Sequence, residues 1–90
     1  MRQLHELKIW PEYFKPVMEG FKTFEYRLND RGYKVGDYVT LKEYDINKKE
    51  YTGREGFFVI TYVLLLKNVH GPDSDYAVFS ISKMDVKDAS

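Results

Sequence analysis

Along the chain from Leu4 to Trp10 the residues alternate, with His5, Leu7 and Ile9 on one face and Glu6, Lys8 and Trp10 on the other. This is the period of a half-buried strand. Pro11 suits a first helical position and Glu12 complements a helix N-terminus. Tyr13, Phe14, Val17 and Met18 then recur at helical spacing until Gly20. Pro16 removes one backbone donor and crowds the Glu12 carbonyl, so the pattern predicts a short helix of two to three turns. Beyond it Thr23, Glu25 and Arg27 share one face of an extended segment and Phe24, Tyr26 and Leu28 the other, and the apolar side is expected inward.

Asn29 to Gly32 reads as a loop, and Gly36-Asp37 as a turn before a third strand from Tyr38 to Tyr44. Asp45 to Glu50 is a polar hairpin connection with Asn47 near its tip, and Thr52-Gly53 marks a bulge. From Gly56 to Leu66 both faces are apolar, which calls for cover on both sides or a bend between two sheets. Lys67 to Asp75 is a loop around His70-Gly71-Pro72-Asp73, Tyr76 to Ile81 alternates as a last strand, and the tail from Lys87 is expected to fray. One helix among about five strands gives no alternating βα units from which to build a parallel sheet. The expected fold is mostly β (α+β), a small mixed, mainly antiparallel β-barrel with one short N-terminal helix.

Composition narrows this further. Ninety residues bury only about 60–70% of their unfolded surface, so residues 1–90 are read as a single domain. Fourteen basic and fourteen acidic residues cancel, which removes the long-range field of a generic nucleic-acid binder and leaves room only for a local anion site. The absence of cysteine excludes disulfides, thiolate metal sites and cysteine nucleophiles. The charged N-terminal residues lack a signal-peptide core and the run Val63 to Leu66 is too short to cross a bilayer, so the expected setting is cytoplasmic, without a membrane partner.

The chemistry concentrates in Gly20-Phe-Lys-Thr-Phe-Glu-Tyr-Arg27. Residues two apart on a strand lie roughly 6.5–7 Å apart on one face, so Glu25 and Arg27 pair or jointly face a ligand, within reach of Lys22. Guanidinium and ammonium suit a phosphate or carboxylate, and a carboxylate accepts from an amino group of a base. The bland alternative for such a strand is a solvated ion pair.

The spacing Gly20-x-Lys22-x-x-Glu25-x-Arg27 resembles the signature of ASCH domains, relatives of the PUA RNA-binding barrels. The flanks His5-Glu6-Leu7-Lys8, Trp10-Pro11, Asn29-Asp30-Arg31, Val35-Gly36-Asp37, Glu43-Tyr44-Asp45 and Tyr51-Thr52-Gly53-Arg54 resemble an uncharacterised ASCH-related family of bacteria and phages. The resemblance implies a PUA-like barrel with the signature lining a cleft beside the helix, and an RNA-binding role. Some ASCH proteins are amidohydrolases acting on acetylated cytidine, in which the residue three after the lysine is a threonine nucleophile. Here that residue is Glu25, which weakens the transfer of catalysis; Lys22, Thr23 and Glu25 remain as catalytic candidates.

His5 shares a face with Leu7 and Ile9, the position of a core-edge histidine, and is a ligand-binding candidate if a cleft opens beside it. Arg31, Tyr33, Lys34 and Arg54 are candidates for a basic and aromatic rim suited to single-stranded nucleic acid. His70 is expected to be exposed. Neither histidine has a partner at metal-ligand spacing, so no metal and no cofactor is expected. The leading expectation is a module that binds RNA or a nucleotide-like ligand through Lys22, Glu25, Arg27 and His5. The alternatives are a small-substrate amidohydrolase acting on modified nucleosides and a phage-type protein-interaction module.

Overall fold

The computed structural model describes residues 2–84; the expectation for the tail from Lys87 lies outside them. The chain runs β1 (Leu4–Ile9), α1 (Pro11–Met18), β2 (Phe24–Leu28), β3 (Tyr38–Asp45), β4 (Glu50–Leu66) and β5 (Tyr76–Lys83). All five strands form one sheet in the order β1-β3-β4-β5-β2, with β1 and β3 parallel and the other pairs antiparallel. This is the expected mostly β architecture with one short helix, and its sheet is curled into a half-barrel. Backbone pairing does not join the two edge strands, β1 and β2.

β4 makes the curl possible. Its first half pairs with β3 and its second half with β5, with register shifts opposite Glu43 and between Ile60 and Tyr62. Each shift bends the strand and increases its twist. The first lies at Thr52–Arg54, where the bulge was expected, and Gly53 there has φ +94°. Inward residues of β1, β3, β4 and β5, among them Leu7, Val39, Leu41, Phe58, Ile60, Ala77 and Phe79, form one core with Phe14 and Val17 of the helix. An eight-residue helix is too short to persist in isolation, and these contacts hold it in place. Gly56 allows that approach, since a Cβ there would stand 2.5 Å from Met18 Sδ.

Two expectations about burial are overturned. On β2 it is Glu25 that is buried, whereas Phe24, Tyr26 and Leu28 are 44–47% exposed. The register explains the choice, because Glu25 and Arg27 stand beside the inward Phe79 and Ala77 of β5, while Tyr26 stands beside Val78 on the outer face. Nor is the apolar run of β4 covered on both sides. Tyr62, Leu64 and Leu65 are about half exposed or more, because among the described residues no second layer lies over that half of the strand.

Candidate functional site: a cation-lined cleft at the open seam

The helix ends in a way that fixes Lys22. Gly20 adopts φ +85°, a left-handed conformation that costs a residue with a Cβ about 1–2 kcal/mol. Its N–H donates to Val17 O and the Phe21 N–H to Pro16 O, the paired bonds of a Schellman motif. Pro16 O also accepts from the Lys22 N–H at 3.1 Å. The same proline that shortens the helix therefore anchors the chain leaving it. No neighbour would block a Cβ on Gly20, so the backbone conformation alone asks for glycine there.

Lys22 reaches back over β2, donating to Phe24 O at 2.7 Å and to Glu25 Oε2. Glu25 Oε1 accepts from Arg27 Nε at 2.9 Å and from Arg27 Nη2 at 2.7 Å, and Nη2 also donates to Lys8 O at 3.0 Å. Glu25 is only 3% exposed. A carboxylate so placed costs several kcal/mol unless it is paired and hydrogen-bonded, and here both oxygens are engaged. This pairing is why a charged face can turn inward. The bond to Lys8 also ties β2 to β1 across the seam that the sheet leaves open.

Donor arithmetic shows what remains for a ligand. An ammonium has three N–H donors and a guanidinium five. One donor on Lys22 and the two on Arg27 Nη1 have no acceptor among the described residues. These groups border a cleft of about 490 Å³ between β1, the start of α1 and β2, lined also by Trp10, Tyr13, Phe24 and Tyr26. With Lys8, three cations line the cleft against one carboxylate, a local excess of two positive charges in a chain of zero net charge. The Lys22 ammonium lies 5.0 Å from the centre of the Phe24 ring, a cation–π distance. Lys8, a further lining residue, lies 4.0 Å from the Tyr44 ring centre, and Tyr44 in turn approaches Trp10 and Tyr51.

The structure thus brings Lys22, Glu25 and Arg27 together, and the other candidates lie elsewhere. His5 is buried at the opposite end of β1, where its Nε2 lies 2.9 Å from Asp37 Oδ2 and its ring packs on Tyr33. Burial alone would push the Asp37 carboxyl up. Bonds from the His5 side chain and from the Gln3 and Lys34 backbone outweigh it and hold the group below its ordinary value. Tyr33 is buried against His5 and Phe79 rather than standing on a rim, and burial raises its phenol pKa despite Arg31 and Arg27, which act to lower it.

Arg31 and Lys34 are exposed near that same end. Arg54 lies at the other end of β3, donating to Glu43 Oε1 at 2.7 Å beside Thr52 Oγ1. Five residues of strand, on the order of 17 Å, separate the two groups, so Arg31, Tyr33, Lys34 and Arg54 form no common rim. Thr23 is exposed and does not line the cleft. His70 is exposed, packed edge-on against Tyr76. No three His, Asp or Glu side chains among the described residues are grouped as metal donors, and no helix there is long and apolar enough to cross a membrane.

Sequence reasoning missed Lys8, Trp10 and Tyr13. Lys8 and Trp10 do share a face by alternation, Trp10 lying just past the end of β1, but nothing local shows that this face borders the seam. With this geometry in view, comparison with known proteins adds a family. The model of a domain of unknown function, DUF3850, matches residues 4–81. The chain belongs to that family. The match runs from the start of β1 into β5 and includes every residue of the cleft. The chain is also 43% identical over 44 residues to an "Uncharacterized 12.9 kDa protein in GpA 3'region" of Escherichia phage P2, an alignment covering 49% of the chain and 40% of the phage protein.

Proposed function

We propose that the cleft at the seam is a recognition site for RNA or a nucleotide-like ligand. The observation that carries this reading is the pair of cations immobilised by a buried glutamate, with three unused N–H donors beside open volume and aromatic walls. Phosphate or a base carbonyl accepts from such donors, and Trp10, Tyr13 or Phe24 offers a flat surface to an unstacked base. The resemblance of Gly20, Lys22, Glu25 and Arg27 to the ASCH signature supports the same reading and suggests a PUA-like relationship. In this reading Lys22 and Arg27 contact the ligand and Glu25 positions them. A hydrolase attacking with a threonine would need Thr23, which does not line the cleft, and one activating a water would need Glu25 as base, whose two oxygens are engaged by Lys22 and Arg27.

The test is fluorescence anisotropy of short single-stranded RNA and of nucleotides, titrated at several salt concentrations. Two phosphate-facing cations give a slope of log K against log salt of about −1.4, at about −0.7 per contact. Lys22→Ala should weaken binding at least about tenfold, a loss of roughly 1.4 kcal/mol. Binding that ignores both salt and Lys22→Ala, or no binding at all, would overturn the assignment.

A further inference from the structure

The outer face of β4, β5 and β2 is an apolar surface that nothing in the described chain covers. The register aligns it in rows. Tyr26 stands beside Val78 and Val78 beside Leu64, and the flanking rows add Phe24 and Tyr62 on one side and Leu28 on the other. None of the nine outward positions 24, 26, 28, 62, 64, 66, 76, 78 and 80 carries a charge, although 31% of the chain is charged. Phe24, Tyr26, Leu28, Leu64 and Tyr62 are 44–65% exposed.

Side chains of this size offer about 150–250 Å² each, so these exposures leave on the order of 500 Å² of contiguous apolar surface. That is in the upper part of what a monomer leaves open, roughly 300–600 Å². With the partly exposed rim it approaches the ~800 Å² per partner of a standard interface.

We infer that this face docks against the same face of a second copy of the chain, making a two-fold dimer. The one cation against this face is Lys22, over Phe24 at the β2 edge, so its centre, Tyr26, Val78 and Leu64, offers nucleic acid or an anionic lipid surface no cationic contact. Lys22 and Arg27 serve the cleft, which meets this face along the β2 edge, where Phe24 and Tyr26 border both. A face without charge meets its own image with no like-charge repulsion, as an isologous contact requires. Two such sheets stack about 10 Å apart. A two-fold axis lying between them sets the central strand β5 over its counterpart, with Val78 near Val78 of the second copy. Phe24 and Tyr26 would then be held in place by the dimer, and through them one wall of the cleft.

The test is light scattering and sedimentation of the full 90-residue chain across roughly a hundredfold concentration range around micromolar, where a standard interface dissociates measurably. The expected mass is twice 10.7 kDa. Leu64→Glu, which places two carboxylates in the contact, should weaken the dimer at least about 100-fold. Val35→Glu, at an equally exposed residue away from the face, should leave it intact. Because the chain has no cysteine, Val78→Cys with a thiol cross-linker of about 10 Å reach provides a second readout that does not depend on tolerating a charge. A covalent dimer supports the inference. A 10.7 kDa species throughout, a Leu64→Glu dimer of unchanged strength, or no cross-linked product would overturn it.

Discussion

Glu25 on β2 and Glu43 on β3 are both almost fully buried, and each binds an arginine at 2.7 Å. Around Glu43 the arginine is Arg54, whose side chain is 70% exposed. It is presented by the bulge at Thr52–Arg54, and a hydroxyl from Thr52 completes the cluster. Around Glu25 the arginine is three-quarters buried, a lysine occupies the other oxygen, and both cations are also tied to backbone carbonyls. The contrast shows that a buried carboxylate with a cation does not by itself make a site. The pair at Glu43 closes a bulge and leaves its guanidinium largely in water. The group at Glu25 holds two cations still, beside open volume, with donors left over.

The sharpest way to break this contrast is Arg27→Ala. It removes two of the three bonds on Glu25 and the side-chain tie between β1 and β2. Loss of one partner of a buried pair costs about 3–5 kcal/mol, and the retained Lys22 together with partial exposure reduces this to about 2–3 kcal/mol. Urea unfolding measures it, and a loss under about 0.5 kcal/mol would place Glu25 in the same class as a surface pair. Gly20→Ala comes next. It forces φ +85° on a residue with a Cβ, at about 1 kcal/mol, and disturbs the turn that delivers Lys22. Its unfolding midpoint should therefore fall together with ligand affinity, and a drop in stability with unchanged affinity would show that the turn does not position the lysine. The smallest effect is expected for Arg54→Ala. With Thr52 still bonding Glu43, stability should change by less than about 1 kcal/mol and RNA or nucleotide affinity should not change. Reduced affinity would bring the Glu43 cluster into the site and remove the distinction.

Much of this architecture was legible in the residues. Alternation along Leu4 to Ile9, the Pro11 start and Gly20 stop of the helix, the Asp45 to Glu50 connection and the bulge at Thr52-Gly53 are local signals with local causes. Each depends on neighbours within a few positions. The spacing of Gly20, Lys22, Glu25 and Arg27 belongs to the same class, because a turn followed by strand period 2 brings those side chains together wherever the strand is placed.

Tertiary structure alone decided which face of β2 turned inward. Period 2 defines two faces and says nothing of which one meets the core, and the apolar rule chose Phe24, Tyr26 and Leu28. The charged face went inward because Lys22 and Arg27 satisfy both oxygens of Glu25, and because β2 pairs with β5 in the register that sets Glu25 beside Phe79. The same long-range pairing sent His5 to Asp37, buried Tyr33 and separated Arg54 from Arg31. It also brought Lys8, Trp10 and Tyr13 to the cleft, from the end of a strand that β2 never pairs with and from the start of the helix that follows it. The residues by themselves specified the elements and the charged group on β2. The curl of the sheet, which stops short of joining β1 to β2, decided that this group would face a cleft and left the apolar side of the strand in the open.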